Sequence, residues 1–598
     1  MTTIDLIVIG AYLVFLAALG PIFSRFNRDA SDYFRAGGAM VWWMAAASVI
    51  MANFSAWVYT GGAARVYETG MLFLVLPLAN FIADLVSWRW VAPWFRQMRV
   101  VTVAEAVRLR YGPANEWIFT VIQVPLRLLQ AAVALYTLAV FASTAFPWNL
   151  PGLGPLGQEG IIVVLGAMVL VMAVVGGSWA INAGQFVQGL LLLLVTACLA
   201  IFTLLHPRID GLGGLLRQLP DAHLSWNGFD RWGVLAVFGL TLVANQVIQR
   251  NSFHDGGVKY LIVRDGRDAR RVALATMLSA WVLTPLWLIP PLGALVLHPQ
   301  LDSLIAIRNP AEGAYILMAQ SLLPAGLLGL MICAIFSASL DSFTTNINVA
   351  AGIAVRTLYF SWRGGVVPER AQVRLGRVLT MLGGVAVVVL AILISRHSGL
   401  DLYRLLLLSA AAIGIPQAVP LFFGLFVRKA PDWAMWSTML LGFSAALGLT
   451  LPGSPLTEDR IRALWAGFDP APLTRVELGD VRVGLVTGLL LTLCVGWYFL
   501  AVWMGRNQPQ SELAGRFFRD TRTPLTLEEA SPFSDSDAPE GRLIGRVCLW
   551  FGVLLGLLAF LPNDPLGQAG LAITGLLIAL VGVLIGRMAR AGETASSS

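Results

Sequence analysis

One apolar stretch of the chain is unusually rich in oxygen. It reads Ser337-Ala338-Ser339-Leu340-Asp341-Ser342, followed by Thr344, Thr345, Asn346 and Asn348. On a helix, residues three and four apart share a face, so these hydroxyls can form a stripe. Hydroxyl and carbonyl oxygens are hard ligands of the kind that hold Na+ inside transporters. A carboxylate such as Asp341 is costly in an apolar run and marks function by default. The alternative is a structural hydrogen-bond cluster.

Three other polar groups stand in similar surroundings. Asn53 and Ser55 lie in the small-residue run Met51-Ala52-Asn53-Phe54-Ser55-Ala56-Trp57. Asn and Ser favour local backbone bonding over regular helix, and a break there would free carbonyls for a cation. A closely packed helix with Asn53 bonded to a neighbour fits the composition equally well. Arg127 and Gln130 are one turn apart, and Arg127 sits close to mid-segment. A guanidinium there can take a solute carboxylate bidentately, or pair internally with Asp341 or Asp84. Asn245-Gln246 and Gln249-Arg250 close another apolar run, as gate residues or as an interfacial cap.

These groups need many apolar elements to position them. Apolar residues make up 57% of the 598, only 13% are charged, and mean hydropathy is +0.74. Soluble cores cannot hide that much apolar surface, which excludes a soluble enzyme, a disordered chain and a nucleic-acid binder. The lipid bilayer is therefore the expected surroundings. Fifteen runs are long enough to span it: 4–23, 38–64, 69–95, 116–146, 160–179, 183–206, 232–250, 272–298, 324–356, 376–395, 402–427, 433–452, 482–505, 545–562 and 566–586. Of the 41 Lys and Arg, 28 follow odd-numbered runs and 11 follow even-numbered ones. The positive-inside rule then predicts an outer N-terminus and an inner C-terminus, and it also accounts for the net charge of +7. The four cysteines (198, 333, 494 and 548) sit singly in apolar runs and read as small hydrophobes. The five histidines are scattered, and no nucleophile–base pair or metal cluster is present, so no enzyme is expected.

Ala52-Asn53-Phe54-Ser55-Ala56 after Trp42-Trp43, Trp94-Phe95-Arg96, and Val101-Thr102-Val103-Ala104-Glu105 with Arg110-Tyr111-Gly112 form an ordered series of motifs. Gly176-Gly177, Gln249-Arg250, Arg267-Asp268-Ala269-Arg270-Arg271, and Phe517-Phe518-Arg519 with Thr521 to Pro524 extend it. In this order, and on the sides of the membrane that the charge count assigns, they resemble the sodium:solute symporter family, from about residue 4 to 430. The resemblance implies an all-α polytopic membrane protein with a LeuT-type five-plus-five inverted repeat. Its ten-helix core would be 38–430, after a leading helix and loop at 1–37. Two further helices would occupy 431–505 around an outer loop at 453–481. A cytoplasmic segment would follow at 506–544, and two C-terminal helices with a tail at 545–598. A multi-pass protein of the cell membrane, in a bacterium the inner membrane, is implied as well.

The resemblance also implies Na+ as coupling ion, held by carbonyls of Met51 and Phe54 and by a hydroxyl of the 324–356 run. Matching Leu340-Asp341-Ser342 to the family pattern makes Ser339 the hydroxyl ligand and Ile335 a carbonyl ligand. A shift of one residue makes them Ser337 and Ala334. Ser342 completes the stretch. A second ion site in some members needs a carboxylate where this chain has Gln185, and a hydroxyl where it has Phe343. One Na+ is therefore expected, with Asp341 as a compensating charge. Polar contacts of sugar-carrying members do not carry over, since Trp57-Val58 and Pro77 stand there. The expected cargo is a small organic or amino acid, bound by alternating access near Asn53, Trp57, Arg127, Gln130 and Asn245. The competing reading is a transport-derived sensor or scaffold without turnover.

Overall fold

The computed structural model describes residues 2–24, 40–100, 102–145, 149–150, 154–173, 178–225, 232–253, 258–301, 309–355, 369–397, 402–450, 454–526, 529, 537–561 and 564–596. Within these, the helices that coincide with the apolar runs are numbered in chain order. They are α1 (Thr3–Ser24), α2 in two halves (Trp42–Asn53 and Ala63–Thr69), α3 (Val75–Val86, continuing through Ala92–Gln97) and α4 (Pro113–Ala145). Then come α5 (Gln158–Ala173), α6 (Ser178–Leu205), α7 (Trp232–Arg250), α8 (Gly266–Leu297), α9 (Leu327–Ile353) and α10 (Glu369–His397). The last are α11 (Leu402–Phe423), α12 (Trp433–Thr450), α13 (Arg475–Met504), α14 (Asp537–Leu558) and α15 (Pro565–Ser596). Eleven described helical stretches are long and apolar enough to cross a membrane, and the remaining runs contain shorter apolar helices. The described strands are two-residue pieces, Asn149–Leu150 against Gly154–Pro155.

The packing of α2–α11 repeats when each helix is replaced by the one five places on. The pair α3–α7 has its counterpart in α8–α2, α2–α6 in α7–α11, and α4–α10 in α9–α5. Likewise α4–α5 matches α9–α10, and α6–α9 matches α11–α4. That self-mapping is the inverted repeat. Around it, α13 packs on α7, α11 and α12, while α1 packs on α6 and α9.

Polar ties at the two ends of the bundle respect the odd–even alternation. At one end, Arg96 Nε donates to Val263 O at 2.6 Å. The fully buried Arg110 donates to Gly424 O at 2.9 Å and Val427 O at 2.7 Å. Arg522 lies over the Trp94 ring at 3.7 Å. All these groups lie in or beside connections that follow α3, α7, α11 and α13. At the other end, Tyr67 OH donates to His298 O at 3.2 Å, and Leu402 N donates to Glu312 Oε1 at 3.0 Å. These connections follow even-numbered helices.

Two ties carry predictions. Arg65 and Asp480 form an ion pair with both side chains almost fully buried. Removing one partner of such a pair strands the other, at a cost on the order of 3 kcal/mol. Asp480→Asn is expected to lower the melting temperature of the purified protein sharply, and replacing both residues with leucine should recover part of the loss. The second tie is Arg99 with Glu529, at 2.8 Å between Nε and Oε1. The Arg99 hydrogen bond and the Thr526 N–H hold the Glu529 carboxyl down to about 2. A carboxyl with a depressed folded value stabilises above its ordinary range and loses that contribution only as pH falls toward the folded value. Protease protection of the 506–529 segment should therefore be unchanged between about pH 7 and pH 5, and fall only in stronger acid.

Candidate functional site

The site begins where α2 stops being a helix. Its first half ends at Asn53, and Phe54 turns to φ −103°, ψ 82°, with its N–H on Met51 O. Helix resumes after Ser55, whose carbonyl takes the Val58 N–H at 3.0 Å. The Ala56 N–H has lost its helical acceptor four residues back. It donates instead to Ser339 Oγ of α9, at 2.8 Å. Ser339 Oγ donates in turn to Ile335 O at 2.9 Å. A buried serine hydroxyl thus joins the break in α2 to α9.

Of the two hydroxyl registers open in the sequence, this bond belongs to Ser339 with Ile335. Ser337 points elsewhere: its hydroxyl donates to Ala334 O at 3.2 Å and meets Tyr12 OH of α1 at 3.1 Å. The physical reason is helical geometry. Two residues apart means about 200° around the axis, so only one of the pair can face the break. Ile335, Ser339, Ser342 and Asn346 do share a stripe, at offsets of four, seven and eleven residues. Ser342 Oγ bonds Ala338 O at 3.4 Å, and Asn346 Nδ2 donates to Ser342 O at 2.9 Å. The side chains of Asn53 and Asp341 lie outside the described residues.

Arg127 of α4 reaches the same stripe. Its Nη1 donates to Asn346 Oδ1 at 3.1 Å. Asp84, one of its two expected internal partners, instead takes Arg250 at the end of α7, at 2.8 and 3.0 Å. Both groups lie near the end where the arginines collect, which explains that choice. Seven residues at 1.5 Å each put Asn346 about 10 Å along α9 from Ser339. Gln130 is half-buried one turn from Arg127. Asn245 is not joined to this group by a described contact. Its side chain takes the Gln249 amide, which also donates to Ala410 O of α11 at 3.1 Å. Gln123, one turn before Arg127, donates to Gln417 of α11. Amide ties therefore link α4 and α7 to α11.

Trp57 follows the break and stacks on Tyr403 of α11, with ring centroids 6.1 Å apart. Trp57, Gly61 and Arg65 recur every four residues and form one face. A Cβ on Gly61 would lie 2.9 Å from Leu402 Cβ and Tyr403 N, so only glycine permits this approach. Arg65 lies over the same Tyr403 ring at 5.3 Å. The second half of α2 is thereby closed against the start of α11. Gln185, where some members of the expected family carry an acid, accepts a hydrogen bond from Ser48 of α2. Phe343 is fully buried.

Sequence reasoning missed the Ala56 N–H, the Gln123–Gln417 tie, Tyr12 and the Arg65–Asp480 pair. The four-residue recurrence of Trp57, Gly61 and Arg65 was a usable signal for the last of these. The other three depend on which helices meet, which no local spacing records.

Comparison with known proteins agrees with the fold. A sequence model of the sodium:solute symporter family matches residues 33–442, more than half of the chain. The sodium/sialic acid symporter NanT of Aliivibrio fischeri is 25% identical over 464 residues, covering 75% of this chain and 87% of that one. The osmoregulated proline transporter OpuE of Bacillus subtilis is 20% identical, covering 74% of this chain and 88% of its own. The sodium/myo-inositol cotransporter 2 of Rattus norvegicus is 25% identical, with 75% and 70% covered. A solved structure of a Na+-coupled sialic acid symporter, substrate-bound and outward-open, superimposes with a TM-score of 0.65 at 17% identity. It covers 85% of this chain and 99% of that one, and shows the shared fold. The chain thus has the LeuT-type fold and belongs to the sodium:solute symporter family: it is a multi-pass membrane transporter, not an enzyme, with Na+ as its coupling ion.

Proposed function

We propose that the protein carries a small carboxylate-bearing solute, an organic or amino acid, into the cell across the cell membrane with one Na+ by alternating access. The bond from the Ala56 N–H to Ser339 Oγ carries the ion half of this reading. In this reading the Ser339 hydroxyl and the carbonyls of Ile335, Met51 and Phe54 would hold the ion, Ser339 Oγ being tied both to Ile335 O and to the α2 break. Those are the hard oxygen donors a partly dehydrated Na+ needs. An ion held between α2 and α9 favours whichever state keeps the two together, by its differential affinity for the states. Gln185 spends its oxygen on Ser48 and has no charge to offer a second cation, which supports a stoichiometry of one.

Arg127 carries the solute half. Its guanidinium lies inside the bundle and donates to the Asn346 amide, and it is the group suited to a bidentate pair with a solute carboxylate. Relatives named for sialic acid and proline transport handle carboxylates, whereas those named for myo-inositol and glucose handle neutral polyols. Gln130 and Trp57 would line the same path, and Asn245 would act toward the end where the arginines collect, through Gln249. The ten helices α2–α11 would form the moving core, with α1 and α12–α15 around it. Competition of sodium-driven uptake by a solute panel tests this. Monocarboxylates and amino acids should compete, and a neutral polyol that outcompetes every carboxylate would reject the assignment.

A further inference from the structure

We propose that α1 is a positioning device for the sodium helix, acting through Asp5 and Tyr12, a role that rests on Na+ binding at Ser339. Asp5 is buried, and its Oδ1 accepts from the N–H groups of Gly326 (2.7 Å) and Gly329 (3.0 Å). Those are donors at the start of α9 that have no partner within their own helix. Its Oδ2 accepts from Thr2 N and Thr2 Oγ1 at 2.8 and 3.0 Å, which fixes the carboxylate from its own side. A Cβ at Gly329 would lie 2.8 Å from Asp5 O, so the helices touch backbone to backbone. Seven residues on, Tyr12 OH meets Ser337 Oγ at 3.1 Å. Because Ser337 donates to Ala334 O, the tyrosine is left to donate. The two helices run in the same direction and are pinned at two levels.

The second pin is at the level of the ion site. Ser337 and Ser339 lie about 200° apart within one turn of the same helix, about 3 Å apart along its axis. One faces α1, and the other faces the break in α2. A slide or rotation of α9 that moves Ser339 away from Ala56 must also pull Ser337 from Tyr12. Tyr12 is backed from the far side by Phe551 of α14, with ring centroids 5.8 Å apart, and Phe15 stacks on Phe551 at 4.3 Å. Leu571 of α15 lies against Gly326 at the first pin. The C-terminal hairpin thus braces the helix that braces α9. Their described hydrogen bonds to α9 go to Ser337, Gly326 and Gly329, so Tyr12 and Asp5 are positioning residues and set the sodium affinity through Ser339.

The test measures the half-saturating Na+ concentration for uptake in proteoliposomes, the solute KM at saturating Na+, and the melting temperature. Tyr12→Phe and Asp5→Asn are compared with Ser339→Ala, and Phe517→Ala, a buried ring packed on Phe253 away from α1, serves as a control. The hydrogen bond lost in Tyr12→Phe should raise the half-saturating Na+ concentration about three- to tenfold. The solute KM at saturating Na+ should not change, and Ser337→Ala should add nothing further to Tyr12→Phe. Phe517→Ala should lower the melting temperature without moving the sodium curve. A sodium curve unmoved in Tyr12→Phe while Ser339→Ala shifts it overturns the positioning role alone. No shift in Ser339→Ala overturns instead the ion site on which that role rests. Should Asp5→Asn fail to fold, Tyr12→Phe decides the matter by itself.

Discussion

Ser339→Ala should raise the half-saturating Na+ concentration for uptake by about ten- to a hundredfold while leaving expression and membrane insertion intact. The hydroxyl stands where α9 meets the broken backbone of α2. Removing it takes an oxygen from the ion and leaves the Ala56 N–H without its acceptor. A hydrogen bond to a charged group contributes about 1.5–3 kcal/mol, and every 1.4 kcal/mol is a tenfold change in an equilibrium constant. Ser339→Thr keeps the oxygen and should retain most of the affinity. Ser337→Ala, whose hydroxyl faces α1, should shift the curve far less. A larger effect at Ser337 than at Ser339, in sodium titrations of uptake, would restore the alternative register.

Arg127→Ala should lower kcat/KM for a carboxylate solute by about a hundredfold or more, with sodium binding retained. The predicted contact is a charge-assisted, bidentate one in low dielectric, and its loss strands the carboxylate without a partner. Arg127→Lys should recover charge but not the paired geometry and fall between the two. Asn346→Ala removes the amide that orients Nη1. It should raise the solute KM severalfold without altering the sodium dependence of a non-transported counterpart. Measuring solute and sodium curves separately in each variant keeps the two halves of the site apart.

Much of this was legible in the residues themselves. The apolar runs predicted helices whose centres the structure repeats, and the odd–even clustering of arginines anticipated how the ends of the bundle gather. Asn53 and Ser55 among small residues left the α2 break as one of two readings, because local side-chain bonding competes with a helix there, and the structure shows the break. The register at Ser337 and Ser339 was not legible, since both hydroxyls lie on α9 and only its neighbours decide which one meets α2. Spacing also named Asp84 and Arg127 as charges in need of partners without saying that Arg250 would reach Asp84 first. Asp5 stands at the start of the first apolar run, and no local pattern singles it out. Its role depends on Gly326 and Gly329, more than three hundred residues away.

The most direct test is uptake of a labelled carboxylate solute into proteoliposomes under an imposed inward Na+ gradient. Accumulation above the external concentration that collapses when the gradient is removed, and that requires millimolar Na+ more strongly in Ser339→Ala, is the expected result. Solute binding without accumulation, or accumulation indifferent to both the gradient and Ser339, would contradict coupled transport through the α2–α9 junction.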